Sequence, residues 1–156
     1  MVVERGSSGL TMRIDAPYHG DPAPAGPAGP TPALWNHEVV ELFVLGPDDR
    51  YTEVELGPSG HHLVLTLDGY RNTTADRLPL VFESRIMGDR WQGEAHLAAE
   101  HLPPRPWRLN AYAIHGTQTD RRHLAAWPVP GPAPDFHRLA FFQPWHADDP
   151  GSVEAR

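Results

Sequence analysis

Turn-forming residues interrupt this chain so often that long helices cannot fit in it. Eighteen prolines and fourteen glycines are spread through 156 residues. Proline lacks the amide proton that a helix interior needs and clashes with the preceding turn, so a helix bundle is excluded. Between the breaks lie short segments rich in Val, Leu, Phe, Tyr and Trp, at 10–16, 38–45, 51–56, 61–67, 80–87, 90–97, 107–115 and 123–127, with a short one at 138–142. They are joined by turns such as Gly46-Pro47-Asp48-Asp49, Gly57-Pro58-Ser59-Gly60 and Met87-Gly88-Asp89-Arg90. Short strands at near-regular spacing between turns predict an all-β chain, an antiparallel sandwich or barrel. Six prolines between 17 and 34 predict an extended surface loop. A single helical turn is expected at 98–102, stopped by Pro103 and Pro104. The length suits one domain, expected over 1–143, with 144–156 as a polar tail on which Trp145 could dock.

Charge narrows the partners. Twenty acidic residues face thirteen basic ones, all arginine, for a net −7. An electrostatic nucleic-acid binder is not expected. The absence of lysine beside abundant Ala, Pro, Gly and Arg is what a GC-rich genome writes, and it predicts a bacterial protein. With no cysteine there is no disulfide framework, thiolate metal site or Cys nucleophile. No apolar run approaches the ~18 residues of a membrane span, and no secretory signal is seen at the N-terminus, so a cytoplasmic setting without membrane contact is expected.

Alternation assigns faces, because successive side chains of a strand point to opposite sides. In 51–56, Val54 and Leu56 share the face of Thr52, and Tyr51, Glu53 and Glu55 share the other. Glu53 and Glu55 are expected as a charged solvent face or as partners of Arg71 or Arg121, with a functional carboxylate pair of the glycosidase kind, there or at Glu38 and Glu41, as the alternative. In 61–67 the core-facing set is Leu63, Leu65 and Leu67. The segment 38–45 is apolar on both faces, so Glu41 needs a partner or a groove. The predicted core is Val54, Leu56, Leu63, Leu65, Leu67, Trp91, Ala95, Leu109 and Ala111.

Several catalytic patterns fail. His37-Glu38-Val39-Val40-Glu41 lacks the second histidine of the helical zinc-protease signature, and residues four apart on a strand stand roughly 13 Å apart. The ten histidines show no ligand spacing, so no metal is expected. No Gly-x-Ser-x-Gly elbow or phosphate-cradling glycine loop is present. What remains is a concave site in which Trp35 forms one wall, Glu41 accepts ligand hydroxyls, Arg71 or Asn110 orients it, and His115 stands at the rim. The competing reading makes Glu41 a buried structural carboxylate paired with Arg71.

The segments 34–43, 51–60, 62–65 and 69–72, with Asn110-Ala111-Tyr112-Ala113-Ile114-His115-Gly116 and Pro134-Asp135-Phe136-His137, resemble an uncharacterised protein family whose human member is an open reading frame on chromosome four. More distantly, the Trp-x-x-acidic-x-Val-Glu-x-Phe pattern of Trp35 to Phe43 is similar to family-9 carbohydrate-binding modules and DOMON domains. That likeness implies a single antiparallel jelly-roll β-sandwich, with Trp35 and Glu41 in the sugar site and Trp127 as a second stacking tryptophan. The likeness to DOMON domains raises haem, with Met12, Met87 or a histidine as axial ligand, though no motif singles one out. The expected function is a non-catalytic binding module for a sugar or polyol, without cofactor, its oligomeric state open. The expected ligand-binding residues are Trp35, Glu41, Arg71, Asn110, His115 and Trp127. The alternatives are a small-molecule enzyme using Glu41 and His115, and an interaction protein with no ligand.

Overall fold

In a computed structural model, which describes residues 1–145 and 151–152, the chain forms thirteen strands. They are β1 (Val2–Arg5), β2 (Gly9–Pro17), β3 (Gly29–Pro30), β4 (Val39–Leu45), β5 (Arg50–Leu56), β6 (His61–Asp68), β7 (Thr73–Asp76), β8 (Val81–Met87), β9 (Arg90–Ala98), β10 (Trp107–His115), β11 (Arg122–Ala125), β12 (Gln143–Trp145) and β13 (Gly151–Ser152). One sheet runs β13-β1-β2-β9-β8 and the other β11-β10-β4-β5-β6-β3, with β12 also paired to β10 and β7 to β6. Every ladder is antiparallel except the two-residue pairing of β3 with β6. The result is a jelly-roll β-sandwich.

The eight principal strands fall where the segments between turns predict them. Five short strands had no counterpart in that reading. β1 lies before residue 10, β3 and β7 are edge additions, and β12 and β13 come from the residues read as a polar tail. The segment at 138–142 is not a strand but a 3₁₀ turn, Leu139–Phe141, which delivers Phe142 into a buried position. Between the end of β2 at Pro17 and the 3₁₀ turn that begins at Leu34, the loop is irregular apart from β3. The rest of the tail, 146–150 and 153–156, lies outside the described residues.

Two hairpins set the register of the larger sheet. Gly46 N–H donates to the Arg50 carbonyl and Gly57 N–H to the His61 carbonyl, each at 2.8 Å. Three residues then turn the chain in each case, the last left-handed: Asp49 at φ 59° and Gly60 at φ 86°. This is the three-residue loop in which a type I turn is closed by a left-handed residue. It places Glu41 opposite Glu55, Phe43 opposite Glu53 and Leu45 opposite Tyr51, and on the far side Glu55 opposite Leu63, Glu53 opposite Leu65 and Tyr51 opposite Leu67.

That register corrects one face assignment. Leu63, Leu65 and Leu67 share the face of Glu53 and Glu55, whereas Val64 joins Val54 between the sheets. The inter-sheet core is Leu42, Val44, Val54, Leu56, Val64, Leu109 and Ala111 packed on Leu10, Met12, Ile14, Trp91, Ala95 and Leu97. Leu63 and Leu67 are buried against smaller clusters on the outer face of the larger sheet, and Leu65 packs there half-buried. Those clusters are closed by the segment 126–142, through Val129, Phe136, Leu139 and Phe142, and by Leu34 of the 3₁₀ turn Leu34–Asn36.

Candidate functional site

The outer face is built in layers, each one residue deep across β10, β4, β5 and β6. One layer reads Tyr112, Glu41, Glu55, Leu63 and the next Asn110, Phe43, Glu53, Leu65. Three carboxyls therefore crowd the middle of an otherwise apolar surface. Glu41, Glu53 and Glu55 are only 1%, 4% and 0% exposed, which overturns the expectation of a solvated acidic face at Glu53 and Glu55. Directly opposed residues in such a ladder hold their Cβ atoms about 5 Å apart, a spacing at which like charges repel.

Protonation is the physical resolution. Burial is the main force raising all three carboxyls, because a charged group loses its hydration there. Glu41 is pushed well above the ordinary carboxylate range by burial and then by the charge of Glu53. Glu55 rises through burial and through Glu41 and Glu53 beside it. Glu53 rises less, to about 7, with Glu55 and Arg71 opposing the effect of burial. Glu41 Oε1, Glu53 Oε2 and both oxygens of Glu55 reach no hydrogen bond of good geometry among the described residues.

Glu41 and Glu53 open onto a cavity of about 400 Å³, a size suited to a small ligand. Phe43, Leu65, Ile114 and Phe136 give it apolar walls, and Trp35, 44% exposed, stands at its edge. The segment 126–142 forms one side and is fastened at several points. Asn110 donates from Nδ2 to the Trp127 carbonyl at 3.0 Å and accepts the Trp127 N–H on Oδ1 at 3.2 Å. The Tyr112 hydroxyl donates to the Phe136 carbonyl at 3.1 Å, and Tyr51 Oη hydrogen-bonds His137 Nδ1 at 2.8 Å. Burial lowers the His137 imidazole to about 4, with Arg71 adding to the shift, so it lines the cavity as a neutral ring.

Two arginines border the cavity without pairing to the carboxyls. Arg71, in a left-handed backbone position, bonds Asp135 at 3.0 Å and the Tyr70 hydroxyl at 3.2 Å. Arg121 donates to the carbonyls of Asn36 and Gly116 at 3.1 Å each, and to that of Trp35. Arg121 is the cation that favours ionisation of Glu41. The Glu41–Arg71 ion pair of the competing reading is therefore not formed: Arg71 is held by Asp135 on the segment that covers the site.

Of the six expected ligand-binding residues, the cavity brings together Trp35, Glu41 and Arg71. Asn110 is fully buried and serves as the clip for Trp127 described above. Trp127 packs against the inter-sheet core and not over Glu41. His115 projects to the other face of β10, into a second recess of about 280 Å³, where its ring stacks on His19 at 3.6 Å. Burial and then the neighbouring His19 lower its pKa. The pairing of Glu41 with His115 is thus broken by strand parity, since Ile114 is the residue that faces the cavity. Met12 lies in the inter-sheet core and Met87 on the exposed end of β8, neither of them at the cavity. Among the described residues no group of three His, Asp or Glu side chains is arranged to hold a metal ion. No described helix is long and apolar enough to cross a membrane. Glu53, Phe136, His137 and Arg121 also line the cavity and were not among the six expected ligand-binding residues.

No family model matches the chain. Among curated proteins, a zebrafish (Danio rerio) UPF0462 protein C4orf33 homolog is 45% identical, the match covering 88% of this chain and 75% of the relative. The mouse (Mus musculus) homolog is 44% identical, covering 88% and 76%. The human UPF0462 protein C4orf33 is 43% identical, covering 88% and 74%. These relatives are vertebrate proteins, which corrects the bacterial expectation drawn from the lysine-free composition. Among solved structures, a protein of Bacteroides uniformis designated provisionally as carbohydrate-binding superposes with a TM-score of 0.63 at 17% identity, covering 86% of this chain and 69% of that one. A likeness at that identity is one of fold.

Proposed function

Because the chain belongs to the UPF0462 family, that of C4orf33, and carries a carboxyl-floored cavity on its outer sheet face, we propose that it binds a neutral polyhydroxylated small molecule of the sugar class there. One observation carries this reading: buried carboxyls with unsatisfied oxygens open onto a cavity that has an accessible tryptophan face at its edge. A protonated carboxyl both donates and accepts, which suits a hydroxyl, and an indole face suits the apolar C–H side of a sugar ring. The sandwich likeness to a structure designated as carbohydrate-binding supports the same class of ligand by analogy of fold alone. A cytoplasmic setting goes with this reading and makes the ligand a free small sugar or polyol.

Titration calorimetry with a panel of monosaccharides, disaccharides and linear polyols tests it. At least one member of the panel should bind, with Trp35→Ala weakening it at least tenfold and Glu41→Gln weakening it while leaving the melting temperature within a few degrees. A protein that binds none of the panel, or one whose binding is indifferent to Trp35 and Glu41, would refute the assignment.

A further inference from the structure

We propose that the cavity also does chemistry on its ligand: Glu41 and Glu53 act as acid and base that open and close the hemiacetal ring of a reducing sugar, interconverting its two anomers. This rests on the reading of the cavity as a sugar site. Simple binding of hydroxyls does not require three carboxyls in contact; amides and a single carboxylate would serve. The register sets Glu41 diagonally across from Glu53, with Glu55 directly opposite Glu41 and two residues along the same strand from Glu53. Glu41 and Glu53 line the cavity, each with a buried oxygen that reaches no hydrogen bond of good geometry among the described residues, and Glu55 lies behind them beside the Glu53 carboxyl.

Anomer exchange needs one proton donor and one acceptor on opposite sides of a single bond, and nothing else. The Glu53 carboxylate takes the proton of the anomeric hydroxyl while the Glu41 carboxylic acid protonates the ring oxygen. The C1–O bond to the ring breaks, its electron pair stays on the ring oxygen, and C1 becomes a carbonyl. Rotation about C1–C2 and reversal of the two proton transfers close the ring on the other face. No oxidant, metal or second substrate enters, and no proton is gained or lost overall.

The electrostatics support the division of roles. Against burial, Glu53 has a loose hydrogen bond from the Glu55 carboxyl and then Arg71 to favour its charge, and once ionised it favours the proton on Glu41. Enzymes that need acid and base at one pH separate two carboxyls by environment in this way. The other charged and titratable groups around the pair are Glu55, Tyr51, Arg71, Tyr112, Arg121, His123, Asp135 and His137.

The test measures exchange between anomers by NMR for a panel of reducing monosaccharides, with the corresponding methyl glycosides as non-reacting binders followed by calorimetry. Wild type should accelerate exchange of at least one sugar above the buffer rate, with a bell-shaped pH profile. Glu53→Gln and Glu41→Gln should each lose roughly 10²–10⁴-fold of that acceleration at saturating sugar, while binding the methyl glycoside measurably, if more weakly, and melting cooperatively. Sugars that bind but exchange at the buffer rate at every pH would overturn the proposal and leave the binding reading intact. Failure of every sugar and glycoside to bind would overturn both. Acceleration that survives both substitutions would also overturn the proposal, since the chemistry would then lie elsewhere.

Discussion

The two faces of the larger sheet are made from the same strands and obey opposite rules. On the inner face Leu42, Val54 and Val64 meet the second sheet with no polar atom among them. On the outer face the intervening residues, Glu41, Glu53 and Glu55, are buried as deeply, yet four of their oxygens reach no hydrogen bond of good geometry among the described residues. Glu38, one step before β4, shows how this chain treats a buried carboxylate that holds the fold together. It accepts the His19 N–H at 2.9 Å and the Asp21 N–H at 3.3 Å, tying down the start of the long loop. Glu41 and Glu53 instead line the cavity of about 400 Å³, and Glu55 lies behind them against the Glu53 carboxyl and the Trp35 backbone. Burial without hydrogen bonds costs stability, and the proposed ligand site is what would offset that cost.

The largest effect should come from moving an outer-face residue type to the inner face. Val54→Asp puts an unpaired charge between the sheets, and chemical denaturation should show no cooperative transition, because the penalty of several kcal/mol consumes most of a small domain's stability. A stably folded Val54→Asp protein would erase the distinction between the faces. Next in size, Glu38→Ala strands two amide protons and should cost about 1–3 kcal/mol in a urea melt. Glu55→Gln, by contrast, replaces a carboxyl held protonated with a neutral isostere, so the same melt should fall within about 1 kcal/mol of wild type or above it. If Glu55→Gln proved the more damaging of the two, the trio would be structural after all.

A smaller effect is the pH dependence. Glu53 has a folded-state pKa raised to about 7, so its contribution to stability is intact below the ordinary carboxylate range and is lost as pH rises through about 7. His137 has a folded-state pKa lowered to about 4; its contribution is present above its ordinary value and is lost as pH falls toward 4. Melts across pH 4 to 8 should therefore show Glu53→Gln flattening the alkaline decline and His137→Gln flattening the acid one. Identical slopes in wild type and both variants would contradict these assignments. Smallest of all is Asp135→Ala, which removes a half-exposed ion pair to Arg71 and should cost at most about 1 kcal/mol. Its value lies in binding: if the segment 126–142 walls the site, sugar affinity should fall more than stability does.

Strand positions were legible because alternation and turns are local signals. Glu41 was legible too, since a charge amid Val39, Val40, Leu42 and Phe43 has nowhere neutral to go. The misassignment of Glu53 and Glu55 came from treating two strands separately. The turn Pro58-Ser59-Gly60 already holds the answer: a three-residue loop closed by a left-handed glycine pairs Glu55 with Leu63, and leucines opposite glutamates exclude a solvated acidic face. Parity would likewise have moved His115 away from Glu41, because Tyr112 and Ile114 are the residues of β10 that share its side. Asn110 and Trp127 meet through a side chain and a backbone seventeen residues apart, and Arg71 meets Asp135 across sixty-four. Such tertiary pairings leave no periodic trace in a sequence. Neither did the short strands β3, β7 and β12, which borrow their order from the edges they join.

The central claim is that the trio on the outer face awaits a ligand while Glu38 is a fixture of the fold. Carboxyl carbon NMR of the protein labelled at glutamate, titrated in pH with and without a binding monosaccharide from the panel, reads all four groups at once. Glu41, Glu53 and Glu55 should titrate above the ordinary carboxylate range in the free protein and shift when the sugar is added, with the Glu38 resonance unmoved by ligand. Three carboxyls that titrate normally, or that ignore a saturating sugar while Glu38 responds, would contradict it.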